Sequence, residues 1–170
     1  IVGINGTAPD LKSNPALLVS LLARALRHFH DNAPVSDCPF DFRLPTALEH
    51  ITQRAQLGLI QPEKHFHPEF QHLHLEESQS FLKEQQPSPT KEVVCHGDYC
   101  VPNILFDNNR LKGFVDLGEL GVADVWWDLA VATWSLNWNL GNGWEELFLK
   151  EYGVSSVSYT HLTLPTTYGV

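Results

Sequence analysis

The sequence predicts an α+β fold that is mostly α-helical and contains one small β-hairpin. Over most of the 170 residues, apolar side chains recur at helical spacing. The tetrapeptide DNNR supplies turn residues between two short apolar segments, which is the pattern of a hairpin. Strands and helices do not alternate along the chain, so a doubly wound parallel sheet is not expected.

Three helices are predicted in the N-terminal half. The first follows Ser13 or Asn14, either of which can cap it, and Pro15 suits its first turn. After a loop over residues 31–42, a second helix covers residues 45–58 and stops at its glycine. A third helix is expected over residues 67–86, where the segment QPSPTK ends it.

The C-terminal half is predicted to start with short extended segments and to end in helices. The extended segments are residues 91–97 and 103–118, and the second contains the hairpin. The sequence returns to helix at Asp124, the expected cap, and GNG breaks this helix. Residues 144–153 form one more helix.

The net charge of the chain bears on whether its partner is a nucleic acid or a cationic small molecule. Eleven basic and 20 acidic residues give a net charge of −9 at pH 7, whereas a nucleic-acid-binding surface should be basic. We therefore expect no nucleic-acid partner. An acidic cleft concentrates cations, so the charge is compatible with a cationic small-molecule substrate, and equally with acidity that serves solubility alone.

The cysteines and the hydropathy predict a cytoplasmic protein. Cys38, Cys95 and Cys100 are few, odd in number and form no CxxC pair, which indicates a reducing compartment. No apolar run reaches the length of a membrane span, and the sequence shows no signal peptide. We therefore expect no membrane partner.

The stretch CHGDYCVPN, residues 95–103, holds the residues that carry chemistry. Phosphoryl transfer needs a carboxylate near the attacking hydroxyl and oxygen ligands for Mg²⁺. His96, Asp98 and Asn103 give H-G-D-x-x-x-x-N, which matches the Asp-to-Asn spacing of a kinase catalytic loop. After the hairpin, Asp116 opens a D-x-G triplet. The alternative is that Asp98 and Asn103 only stabilise a turn before a strand.

The segment VVCHGDYCVPNILFDNNRLKGFVDLGELGVADVWWDLA closely resembles the aminoglycoside phosphotransferases, especially their 3'-phosphotransferase branch. DCPFD at residues 37–41 is also similar to that branch. The resemblance runs from about residue 17 to 153 and implies a protein-kinase-like fold. It implies that residues 1–156 are the C-terminal lobe, with the N-terminal ATP lobe and the final helices missing. Residues 157–170 resemble a translated sequencing-adapter end and are predicted to be a non-native tail; the alternative is a disordered native C-terminus.

The resemblance also implies roles for individual residues. Asp98 corresponds to the catalytic base that orients the acceptor hydroxyl, and Asn103 and Asp116 correspond to the Mg²⁺ ligands. His96 matches the structural histidine of the loop and completes the predicted cofactor-binding set for ATP and Mg²⁺. Asp128 resembles a buried helix carboxylate that accepts hydrogen bonds from the catalytic-loop backbone; its alternative is a solvent-facing charge.

This chain departs from the family's pattern at three positions near the predicted site. Glu119 follows the D-x-G triplet where the family usually has arginine, which inverts the local charge. Trp134 and Trp138 stand where several relatives present charged groups toward the aminoglycoside. These differences bear on substrate choice more than on reaction type.

Other signals are interpreted structurally. His65, His67, His72 and His74 form two HxH pairs, but solvated loop histidines are favoured over a zinc site because no nearby cysteine completes one. Cys95 and Cys100 are interpreted as small core residues, and the tryptophans as core packing.

The predicted function is therefore ATP-dependent O-phosphorylation of an aminoglycoside hydroxyl, which confers antibiotic resistance, and the chain alone is expected to be inactive. One alternative is a related kinase acting on a macrolide, an amino sugar or homoserine. Another is a non-catalytic, kinase-like binding module. The acidic residues Glu69, Glu76 and Glu77 are candidates to meet substrate ammonium groups, against the alternative of a solvated helix face.

Overall fold

The computed structural model describes residues 3–60, 72, 74–84 and 90–154. In these ranges the helices are α1 (Pro9–Lys12), α2 (Pro15–Asn32), α3 (Leu44–Gln56), α4 (Leu75–Glu84), α5 (Trp126–Leu140) and α6 (Glu145–Tyr152). The strands are β1 (Ile4–Asn5), β2 (Glu92–Cys95), β3 (Ile104–Asp107), β4 (Arg110–Phe114) and β5 (Gly121–Asp124). Single 3-10 turns occupy Val35–Asp37 and Val101–Asn103. The predicted mostly helical α+β fold is confirmed.

Helix α2 is the central helix of the core. The side chain of Asn14 accepts a hydrogen bond from the Leu17 N–H at 3.3 Å, and Pro15 is the first helical residue, as predicted. One face of the helix is buried against the rest of the fold and packs on α6. Its buried residues are Leu18, Val19, Leu22, Ala23, Ala25, Leu26 and His30.

Helix α3 is confirmed, and its predicted stop is correct. Gly58 adopts a φ of 70°, a left-handed conformation that favours glycine after a helix. The third predicted helix is present as α4, which covers residues 75–84 of the expected 67–86. The beginning of that prediction lies outside the described residues, together with His65, His67 and Glu69.

The predicted hairpin is formed by β3 and β4. Its turn residues Asn108 and Asn109 have φ values of 49° and 58°, the left-handed pair that a two-residue hairpin turn requires. Strand β1 adds a third antiparallel strand, with Ile4 opposite Phe106. Strand β1 was not predicted, because two residues are too few to show an alternating pattern.

A second, two-stranded sheet pairs β2 with β5. Cys95 at the end of β2 lies opposite Gly121 at the start of β5. The loop that follows β2 and the loop that precedes β5 therefore meet at one edge of this sheet. Residues 40–42, which include the end of the DCPFD segment, lie along the other side of β5. There the Phe42 N–H donates to the Val122 carbonyl at 3.0 Å.

Helices α5 and α6 complete the core. Asp124 ends β5 rather than beginning a helix, but its carboxylate accepts the Trp126 N–H at 3.0 Å, close to the predicted capping role. The predicted break after α5 is present at Gly141, with φ of 84°. None of the helices in the described ranges has the length and apolar character that crossing a bilayer would require.

The interpretation of the tryptophans as core residues is only partly correct. Trp126 is buried, and Trp127 and Trp144 pack against the core. Trp138 is 79% exposed, and Trp134 stacks on it with ring centroids 6.0 Å apart. The stacking contact shields from water part of the two indole surfaces that the core does not cover.

Candidate active site

The loop after β2 is held by a buried carboxylate beneath it. Asp128, on the first turn of α5, accepts the His96 N–H at 2.7 Å and the Gly97 N–H at 2.9 Å. Asp128 is fully buried, so the alternative of a solvent-facing helix charge is wrong. Two backbone donors that would otherwise be unpaired are satisfied by one side chain, which fixes the path of the loop.

Two residues that the sequence analysis missed support Asp128 from behind. His30 Nε2 lies 3.0 Å from Asp128 Oδ2, and His30 Nδ1 lies 2.8 Å from the Tyr152 hydroxyl. Burial raises the pKa of Tyr152, so its hydroxyl keeps the proton that it donates to Nδ1. Nε2–H then donates to the carboxylate. These contacts tie α2 and α6 to the loop through α5.

Cys95 also lies beside this carboxylate. His30, Cys95 and Asp128 present ligand atoms within 4.8 Å of one another. The Cys95 thiol, however, donates to the Asp124 carbonyl at 3.4 Å, and burial raises its pKa. Hydrogen bonds therefore account for this group of side chains without a metal ion.

Position 97 accepts only glycine in this arrangement. Its φ is 87°, and a Cβ atom there would lie 2.2 Å from the Glu119 carbonyl oxygen. The indole Nε1–H of Trp127 donates to the Gly97 carbonyl at 3.0 Å. The close approach brings the loop of residues 96–100 against residues 116–120.

His96 is a structural residue of the loop. Its ring is fully buried between Tyr99 and Phe114, and its Nδ1 accepts the Asp98 N–H at 3.3 Å. Burial lowers the pKa of His96, so the neutral ring remains able to accept. Any part that His96 plays in cofactor binding is through the shape of the loop.

Both carboxylate oxygens of Asp98 accept hydrogen bonds. Asn103 Nδ2 donates to Oδ2 at 2.8 Å, and the Cys100 thiol donates to Oδ1 at 2.9 Å. Burial, and then the neighbouring Asp98 carboxylate, raise the pKa of Cys100, so the thiol stays protonated. Asp98 itself is half-buried at the surface of the loop.

The hairpin returns Asp116 to the neighbourhood of Asn103. Strand pairing sets Ile104 opposite Phe114, and the Val115 N–H donates to the Asn103 carbonyl at 3.0 Å. Asp116 is exposed and has a φ of 61°, which is unusual for a residue with a side chain. The three predicted oxygen-bearing side chains thus occur on adjoining segments.

The donor set suits Mg²⁺. Both hydrogen bonds of the Asn103 amide leave from Nδ2, so its Oδ1 has no hydrogen bond from the part of the chain that the structure describes. Asp116 likewise has no ion pair with any described residue. Carboxylate and amide oxygens are hard ligands of the kind that Mg²⁺ accepts alongside phosphate oxygens.

The inverted charge at Glu119 is balanced by a residue from α3. Arg54 Nη1 lies 3.3 Å from Glu119 Oε1, and both side chains are partly exposed. This partner was not identified from the sequence, because 65 residues separate the two positions. Glu76 and Glu77 are exposed on α4, where the side chain of Glu77 accepts the His74 N–H at 2.9 Å.

The family model and the curated proteins that this chain resembles are all phosphotransferases. The model of the phosphotransferase enzyme family matches residues 3–162. The chain is 32% identical to an aminoglycoside 3'-phosphotransferase of Niallia circulans over 91% of this chain and 58% of that protein. It is 30% identical to a probable aminoglycoside 3'-phosphotransferase of Lactococcus lactis, over 96% of this chain and 62% of that protein. The chain thus spans about three fifths of these relatives.

Solved structures agree with this similarity. An aminoglycoside-3'-phosphotransferase of type VIII superposes with a TM-score of 0.80 at 26% identity, over 96% of this chain and 63% of that one. An aminoglycoside phosphotransferase from Streptomyces rimosus, in complex with ADP and streptomycin, gives a TM-score of 0.76 at 27% identity, over 99% of this chain and 68% of that one.

Proposed function

This chain belongs to the phosphotransferase enzyme family, and we propose that the protein carrying it transfers the γ-phosphate of ATP to a hydroxyl group of an aminoglycoside, which confers resistance. The observation that carries the proposal is the hydrogen bond of 2.8 Å from Asn103 Nδ2 to Asp98 Oδ2. The Val115 N–H donates to the Asn103 carbonyl, so Asp116 follows directly on a segment that is paired with Asn103. The names of the relatives support the aminoglycoside and the 3' position.

Asp98 orients the acceptor. Its carboxylate accepts a hydrogen bond from the substrate hydroxyl and takes up the proton as the oxygen attacks phosphorus. Because the hydrogen bond from Asn103 restricts the orientation of Asp98, the hydroxyl is aligned before reaction rather than during it. Asp128 contributes at a distance, since it holds the backbone on which Asp98 stands.

Asn103 and Asp116 would hold Mg²⁺. An ion held by these two residues would neutralise charge on the phosphates of the nucleotide. The exposed carboxylate of Asp116 would supply the anionic ligand, and Oδ1 of Asn103 would supply the neutral one. His96 keeps the intervening loop in shape from its buried position.

A polycationic acceptor fits the charge of the chain. The net charge of −9 favours cationic ligands over anionic ones. Exposed Glu76 and Glu77 on α4 would be available to ammonium groups. A cytoplasmic location belongs to the same proposal, because the three cysteines are unpaired and ATP is the donor.

The test is phosphate transfer by the full-length protein. We expect the parent, with ATP and Mg²⁺, to add one phosphate to kanamycin, seen by mass. The Asp98→Ala variant should lower kcat by at least about a hundredfold, as expected for loss of a general base, with ATP affinity unchanged. Near-parental turnover in that variant would remove Asp98 from the mechanism.

The same assay separates the alternatives. Transfer to a macrolide, an amino sugar or homoserine, but not to any aminoglycoside, would reassign the substrate. Binding of ATP and Mg²⁺ without transfer to any acceptor would favour a non-catalytic, kinase-like module. GTP is run beside ATP to identify the nucleotide.

A further inference from the structure

The candidate base has a second hydrogen-bond donor besides Asn103. Cys100 Sγ lies 2.9 Å from Asp98 Oδ1, while Asn103 Nδ2 lies 2.8 Å from Oδ2. An ionised carboxylate is an acceptor only, so the thiol must be the donor in this pair. The interpretation of Cys100 as a small core residue leaves this contact without a role.

The position of Cys100 is fixed by the backbone on both sides. Its own N–H donates to the Asp98 carbonyl at 2.8 Å, which closes a tight turn between the two residues. The next N–H, that of Val101, donates to Ser135 Oγ on α5 at 2.9 Å, and Ser135 is 1% exposed. These two backbone hydrogen bonds therefore hold the thiol against Asp98.

We propose that Cys100 is a positioning residue for Asp98, whose thiol proton holds Oδ1 so that the carboxylate presents a free lone pair to the acceptor hydroxyl. The proposal rests on the proposed function. A carboxylate offers about four lone-pair sites on two oxygens. With one donor on each oxygen, rotation of the carboxylate about the Cβ–Cγ bond is blocked. A lone pair that neither donor uses then remains for the acceptor hydroxyl.

The other two cysteines provide matched controls. Cys38 donates to the Phe40 carbonyl at 3.6 Å, and Cys95 donates to the Asp124 carbonyl at 3.4 Å. Both acceptors are neutral, and neither contact involves Asp98. Among partners that the structure describes, only the Cys100 thiol has a charged acceptor, which makes the stronger hydrogen bond.

The kinetic test compares Cys100→Ala with Cys100→Ser in the full-length protein. We expect Cys100→Ala to lower kcat about tenfold, because a poorly aligned base costs rate, with KM for the nucleotide unchanged. Cys100→Ser keeps a donor on the same carbon and should restore most of kcat. Cys38→Ala should match the parent.

Two kinetic outcomes would overturn the proposal. One is a Cys100→Ala variant that turns over at the parental rate. The other is a Cys100→Ser variant as slow as Cys100→Ala, which would mean that the volume of the sulfur matters and its proton does not.

A spectroscopic test decides the contact without any activity. The infrared S–H stretch of Cys100, assigned by its loss in Cys100→Ser, should have the lowest frequency of the three thiols. In Asp98→Ala this band should move to higher frequency, while those of Cys38 and Cys95 stay. If the frequency of the Cys100 band were unchanged in Asp98→Ala, the proposal would be wrong. This result does not depend on activity, so it would stand even if the parent protein transferred no phosphate and the proposed function had failed.

Discussion

At the scale of single residues, Gly97 shows how little space the candidate site leaves. We expect Gly97→Ala to lower the free energy of unfolding by at least about 2 kcal/mol, since the added Cβ meets the Glu119 carbonyl at 2.2 Å and φ is positive. Gly118→Ala is the control, because no atom lies within 4 Å of its Cβ position. Urea denaturation measures both variants, and equal stabilities would contradict the close packing of the two loops.

Asn103 and Asp116 differ in the charge that they would bring to Mg²⁺. Asp116→Ala should weaken metal-dependent nucleotide binding by about tenfold or more, because an anionic hard ligand is lost. Asn103→Ala should weaken it less. Nucleotide titrations of the full-length protein with and without Mg²⁺ measure both effects. If the two variants gave parental curves in both conditions, the magnesium assignment would be wrong.

The sequence pattern predicted some residues of the candidate site, and others became visible only in the packing of the structure. His96, Asp98, Asn103 and Asp116 share a short segment with fixed spacing, so their order along the chain was informative. His30, Tyr152 and Arg54 reach the site from distant helices. A histidine on an apolar helix face gives no sign of which carboxylate it will meet, because that depends on how the helices pack.

At the scale of the elements, the first turn of α5 fixes the loop that follows β2. Asp128→Ala should lower the free energy of unfolding by about 3 kcal/mol, since it leaves the His96 and Gly97 N–H groups and the His30 ring without their buried acceptor. Asp107→Ala is the control, because both side chains of its pair with Lys112 are about half exposed and surface pairs contribute about 0–1 kcal/mol. Chemical denaturation of both variants tests this difference.

Element prediction succeeded where the signal was local. Helix α2, the β3–β4 hairpin and the break at Gly141 each depend on a cap, a turn or a glycine visible in the sequence. Strand β5 was missed, because its four residues GVAD show neither the helical nor the alternating strand period of apolar residues. Its partner strand also lies 26 or more residues earlier in the chain. Such pairing is set by the sheet as a whole.

At the scale of the whole molecule, the chain of 170 residues spans about three fifths of the relatives it matches. We expect this chain alone to give no phosphorylated kanamycin with ATP and Mg²⁺. Mg²⁺ is usually bound through few protein ligands plus substrate phosphates, and of the two candidate ligands Asp116 is exposed and Asn103 is half-buried. Mass spectrometry against an enzyme-free blank is the measurement. Product above the blank would show that these residues suffice.

The contact between Arg54 and Glu119 restricts the mutational path open to this protein. Changing Glu119 to arginine first would bring two guanidinium groups together, because Arg54 Nη1 lies 3.3 Å from Glu119 Oε1, and like charges at that distance repel. Changing Arg54 first leaves only a partly exposed carboxylate, which water can solvate. The two positions are therefore epistatic, and a descendant that acquires arginine at position 119 should already have lost the positive charge at position 54.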